Sequence, residues 1–112
     1  MRIYKILPRA AWTAAHEAQR FEGSPLDLQD GFIHFSTAAQ AQETAKRHFA
    51  GQADLVVLEV EADDLGEALR WEPSRGGELF PHLYGPLAAA LVRYVTEAPL
   101  AEDGVPALGE LK

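Results

Sequence analysis

Two histidines, His34 in GFIHFST and His82 in ELFPHLYGPL, sit among the residue types a small-molecule site needs. In an extended segment side chains alternate, so Phe32, His34 and Ser36 face one way while Ile33 and Phe35 face the other. The His34 imidazole and the Ser36 hydroxyl then stand about 7 Å apart along one face. Thr37, with Gln40 three residues later, makes a capping box, so a helix begins directly after them. Its first N–H groups lack intrahelical partners and favour a phosphate or a carboxylate. Strand, His, Ser and helix start together make a workable corner for a nucleotide phosphate. The plainer alternative is a half-buried histidine held by a carbonyl, with Ser36 or Thr37 as a simple cap.

The second segment runs from Glu78 to Leu87. Pro81 and Pro86 fix φ, Gly85 permits a tight turn, and His82 and Tyr84 lie two residues apart. It reads as a rigid, aromatic loop able to stack on and orient a ligand through Phe80, His82 and Tyr84. The alternative is a structural loop that packs Phe80 and Leu83 over a sheet edge. His34, His82 and Glu78 are metal-ligand types, but they have no HxH or HExxH spacing, and no metal is expected. A serine hydrolase is disfavoured too. There is no GxSxG elbow, and Ser36 lies on the strand of His34, too far for a direct hydrogen bond.

The elements that must position these residues follow from periodicity. Ile3 to Leu7 alternates as a first strand, with Ile3, Lys5 and Leu7 on one face. Pro8 suits the first turn of a helix reaching about Arg20, with Trp12 as a core anchor. Gly23-Ser24-Pro25 is a loop signal and Asp30-Gly31 a turn. The helix capped by Thr37 extends to about Phe49, and its Lys46-Arg47-His48 end suits the negative pole of the helix. His16 and His48, both on helices, read as surface or packing residues. Leu55 to Val60 is a continuous apolar strand, hence central. Leu69 to Glu72 and Leu91 to Thr96 are further strands, Arg75 to Glu78 a flexible turn, and residues 99–112 an irregular tail. The acidic Glu61 to Asp64 stretch reads as an exposed loop. The order implies one α+β domain over 1–112, its core in 1–98, with two helices and a mixed, largely antiparallel sheet.

Composition narrows the function classes. With 47% hydrophobic and 24% charged residues, the chain has ordinary globular content. It has no cysteine, which removes disulfides, thiolate nucleophiles and cysteine metal sites. The net charge of -7, from 17 acidic and 10 basic residues, disfavours nucleic acid as a partner. The N-terminal MRIYKILPRAAW holds only a short apolar run broken by Pro8. No signal peptide and no membrane association are expected, and the cytoplasm is the expected compartment.

Tyr4-Lys5-Ile6, Trp12, GFIHFST with Gln40, Phe49-Ala50-Gly51, Leu55 to Val60, Trp71-Glu72 and GGELFPHLYGPL together resemble one small bacterial family. It is known as the domain of unknown function numbered nine-five-two, and the resemblance covers about residues 1 to 98. That family is grouped by fold with the ADP-ribosyltransferases. The resemblance implies an ADP-ribosyltransferase-like fold, with Lys5 at the first-strand position of the transferases, GFIHFST at the second, and Glu78 or His82 at the third. It implies NAD as a candidate substrate, no permanently bound cofactor, and a carboxylate stabilising an oxocarbenium-like transition state. The expected catalytic residues are therefore His34, His82 and Glu78. The expected ligand contacts are Tyr4, Lys5, Phe32, Ser36, Thr37, Phe80 and Tyr84. A non-catalytic module using the same surface for a protein or other ligand is the alternative, and a hydrolase or metal enzyme the third reading.

Overall fold

Leu55–Glu61 forms strand β4, and its nearly unbroken run of apolar residues is buried on both faces. It lies at the centre of a three-stranded antiparallel sheet, between β1 (Arg2–Pro8) and β8 (Val92–Ala98). The two faces of this sheet carry separate cores. Ile3, Leu7, Val56, Leu58 and Val60 face one side, where α1 (Arg9–Ala18) contributes Ala15 and a partly buried Trp12. Tyr4, Ile6, Leu55 and Val57 face the other, against Ala41 and Ala45 of α3 (Ala38–His48). The structure is a computed structural model that describes residues 1–111; Lys112, the last residue of the expected tail, lies outside them.

A second three-stranded antiparallel sheet has the order β3 (Ile33–His34), β6 (Leu79–Leu83), β5 (Leu69–Pro73). A two-stranded pair, β2 (Arg20–Phe21) with β7 (Leu87–Ala88), completes the strands. The two larger sheets are joined at one point. Tyr4 N–H donates to the Ser36 carbonyl at 2.8 Å, and Ser36 N–H returns a bond to the Tyr4 carbonyl at 2.9 Å. That bridge sets the first strand beside the histidine strand.

The α+β class and the antiparallel pairing agree with expectation, as does the central position of β4. The helix count does not. Pro25–Asp30 is a third α-helix, α2, where a loop was read. Six residues are too few to display a 3.6-residue period, yet the caps were present. The Ser24 hydroxyl accepts from Asp27 N–H, the Asp27 carboxylate accepts from Ser24 N–H, and Pro25 stands in the first turn. Gly31, at φ +87°, closes this helix in the left-handed region, which is why a turn glycine follows Asp30.

The second correction concerns the proline-containing segment. Leu79–Leu83 is not a loop but the middle strand of its sheet. Pro81 argued against a central strand because it has no N–H for the ladder. Its carbonyl still accepts from Phe35 N–H at 3.0 Å, and the strand is held in register by β5 over five residue pairs. The tail also differs from expectation in part. Its backbone is irregular, but Leu108 is buried in the second core, and Gln42 donates through its side-chain amide to the Pro106 carbonyl.

The capping box at Thr37 and Gln40 is present, with both reciprocal bonds. We expect Thr37→Ala to cost about 1 kcal/mol of unfolding free energy by urea titration, the usual loss for a cap. Among the described residues no helix is long and apolar enough to cross a membrane.

Candidate functional site

Lys5 is on the same face of β1 as Ile3 and Leu7, so the strand alternation drives a charged side chain into the first core. A lysine buried to this degree needs a counter-charge. Asp27, on α2 and only 2% exposed, supplies it, with its two carboxylate oxygens 3.0 and 2.8 Å from the Lys5 ammonium. The same carboxylate accepts from Ser24 N–H at 2.8 Å, from His34 N–H at 3.1 Å and from His34 Nδ1 at 2.6 Å. One buried carboxylate therefore ties the first strand, the short helix and the histidine strand together.

Burial works against the Asp27 charge, but the His34 ring and Lys5 outweigh it, and its pKa falls well below the ordinary carboxylate range. For Lys5 the balance runs the other way. Burial lowers its pKa, and Asp27 only partly opposes this. The Asp27 carboxylate keeps its charge because it has donors besides Lys5.

His34 is held at both ring nitrogens. Nδ1 meets buried Asp27, and Nε2 lies 3.0 Å from the exposed carboxylate of Asp30. Across the ladder His34 is directly opposite His82, with the rings edge to face at 5.5 Å between centroids. The histidine strand and the proline-braced segment thus share one wall.

His82 is fixed from behind. Its Nδ1 donates to Glu72 at 2.8 Å, and the Phe32 ring stacks on it at 4.0 Å. Tyr84 donates to the same Glu72 oxygen at 2.7 Å. These donors hold the Glu72 pKa down, His82 first, and Glu72 in turn raises that of Tyr84.

A cleft of about 560 Å³ opens between these elements. Of the expected site residues, Tyr4, Lys5, His34, Ser36, Phe80 and His82 line it. Phe32, Thr37, Glu78 and Tyr84 do not. Phe32 borders a smaller recess of about 220 Å³, Thr37 caps α3, Glu78 is exposed, and Tyr84 belongs to the support behind His82. The Lys5 ammonium is engaged by Asp27, so it acts as a support rather than as a free ligand donor.

Other lining residues were not read as site residues in the sequence: Ser24, Asp27, Asp30, Thr44, Arg75 and His48, the last read as a surface or packing residue. Asp27 and Asp30 had a signal, the Ser-Pro helix start, which places Asp27 at the third helical position. His48 and Thr44 are one helical turn apart on α3, and only the packing of that helix turns them toward the cleft. Among the described residues, no group of three or more His, Asp or Glu side chains is arranged to hold a metal ion.

The family model described as a protein of unknown function, DUF952, matches residues 6–95. The crystal structure of protein CC0527 from Caulobacter crescentus is 59% identical and superposes with a TM-score of 0.95, covering 97% of this chain and 96% of that one. A double mutant of the same protein, also solved by crystallography, gives 58% identity, a TM-score of 0.95 and the same coverage. The solution NMR structure of CC0527 gives 59% identity and a TM-score of 0.87 over 96% and 93% of the two chains. No curated protein matches.

Proposed function

The chain belongs to the DUF952 family, and we propose that its cleft binds a nucleotide of the NAD or ADP-ribose type. The observation that carries this reading is one cavity faced by an imidazole anchored on a buried carboxylate, a second imidazole, a buried serine and aromatic walls from Tyr4 and Phe80. Its volume lies inside the roughly 300–1,000 Å³ that small-molecule and cofactor sites occupy. Asp27 orients the inner nitrogen of His34, and the outer nitrogen is paired with Asp30, which also lines the cleft.

ADP-ribosyl transfer is the reaction that such a ligand and the family resemblance favour. The bond between the nicotinamide nitrogen and the ribose carbon breaks, nicotinamide leaves with the electron pair, and a nucleophile takes its place. Two carboxylates line the cleft: Asp27 is buried and bound to Lys5, and Asp30 is exposed beside His34, whereas Glu78 does not line it. Asp30 is thus the group suited to face positive charge on the ribose.

Thermal melting tests the binding. At ligand concentrations near 100 times Kd, a binding-competent protein gains about 2.7 kcal/mol of stability. We expect NAD or ADP-ribose to raise the wild-type Tm by several degrees and to leave that of His34→Ala unmoved relative to its own ligand-free melt. A wild-type protein indifferent to both nucleotides overturns the reading. Release of nicotinamide from NAD then separates a transferase from a module that binds without turnover.

A further inference from the structure

We infer that the Ser36–Thr44–Arg75 corner of the cleft is a subsite for a phosphorylated sugar, reading a sugar hydroxyl and a phosphate side by side. The inference deepens the nucleotide reading above by assigning which wall takes the ribose phosphate. It rests on where three hydroxyl and guanidinium protons must go.

The Thr44 hydroxyl donates to the Gln40 carbonyl one turn back, at 3.1 Å. A threonine has a single O–H, so toward everything else its oxygen only accepts. It lies 2.9 Å from the Ser36 hydroxyl, and it receives Nη1 of Arg75 at 3.3 Å. With the Thr44 proton on the Gln40 carbonyl, Ser36 is the donor in the Ser36–Thr44 bond. Its own proton is committed, and what it turns to the cleft is an acceptor. Ser36 is 4% exposed and yet lines the cavity, so this acceptor is one a ligand O–H or N–H can satisfy.

Arg75 completes the corner. Its guanidinium lies over the Phe80 ring, 4.8 Å from the centroid, and spends one N–H on Thr44. Among the described residues it has no carboxylate within salt-bridge distance, in contrast to Lys5, Arg9, Arg47 and Arg93. A half-buried guanidinium, lying over an aromatic ring and lacking an acid partner among the described residues, has several N–H donors left for an anion. The Ser36 oxygen and the Arg75 nitrogen both contact the same threonine oxygen, so one small group can meet both. A group that offers a donor hydroxyl next to an oxyanion is a sugar phosphate.

Calorimetric titration of wild type, Arg75→Gln and Ser36→Ala with ADP-ribose, adenosine and ribose 5-phosphate tests the assignment. Wild type should bind both phosphorylated ligands. Arg75→Gln should weaken ADP-ribose and ribose 5-phosphate about tenfold or more, the loss of a charge-assisted pair, and leave adenosine within about twofold. Ser36→Ala should weaken ribose 5-phosphate, and inorganic phosphate, titrated as a control, should bind Ser36→Ala as it binds wild type. If ADP-ribose binds Arg75→Gln as tightly as wild type, the subsite is wrong and the nucleotide reading stands. If ribose 5-phosphate binds through Arg75 but ADP-ribose does not bind at all, the subsite stands and the nucleotide reading falls. Wild type that binds none of the three overturns both.

Discussion

Asp27→Ala is expected to remove about 3–5 kcal/mol of stability, the loss that follows when one partner of a buried ion pair disappears and the other charge is stranded. The stranded group is Lys5, 6% exposed and flanked on its face by Ile3 and Leu7. The substitution also removes the acceptor for Ser24 N–H at the start of α2 and for both His34 contacts, so the cleft loses the anchor of its histidine. Urea unfolding measures the first effect. Because the cost comes from the stranded charge, Lys5→Met introduced into Asp27→Ala should restore much of the stability without restoring ligand binding. If the double variant is no more stable than Asp27→Ala, the account of the ion pair is wrong.

The same carboxylate predicts a pH dependence whose sign is set by its depressed pKa. A carboxyl with a folded pKa below its unfolded value contributes stability that is fully present above about pH 4. That contribution drains away as the pH falls through the folded value. Wild type should therefore lose stability on acidification below about pH 4, and Asp27→Ala should lose less over the same interval. Thermal melts of both proteins between neutral and strongly acid pH give the comparison.

Leu58→Ala is expected to cost about 2–5 kcal/mol, as large-to-small changes in packed cores do. Leu58 is fully buried at the middle of the central strand and is the cross-strand partner of Lys5. Cross-strand partners share a face, so a cavity at Leu58 opens beside the lysine stem. The loss should be accompanied by a weaker ligand-induced rise in Tm, whereas Thr37→Ala should cost less and leave the ligand effect intact. A Leu58→Ala protein with wild-type stability would mean that this core collapses around the deletion.

What could be read along the chain was whatever depends on near neighbours. The alternation of Ile3, Lys5 and Leu7, the continuous apolar run of β4 and the capping box at Thr37 are periodic or local signals, and each corresponds to the element observed. The side-chain phase of GFIHFST was legible for the same reason. Ile33 and Phe35 enter the first core, while His34 and Ser36 line the cleft. The resemblance to the nine-five-two family was also legible, because its motifs survive as contiguous words in the sequence.

Helix α2 escaped because a six-residue helix shows caps but no period, and with it went Asp27, the residue on which the site is built. The strand nature of Leu79–Leu83 was hidden by Pro81, whose missing N–H argues against a ladder that neighbouring residues nevertheless complete.

By itself, then, the sequence determined the class of fold, the two histidine segments and the face that His34 occupies. Tertiary structure decided the partners. That Lys5 reaches Asp27 across 22 residues, that His34 stands opposite His82, and that Arg75 meets Thr44 are facts of strand pairing and helix packing. Local periodicity specifies the direction in which a side chain points; which group it meets depends on contacts between segments far apart in the chain, and no single window of sequence contains them.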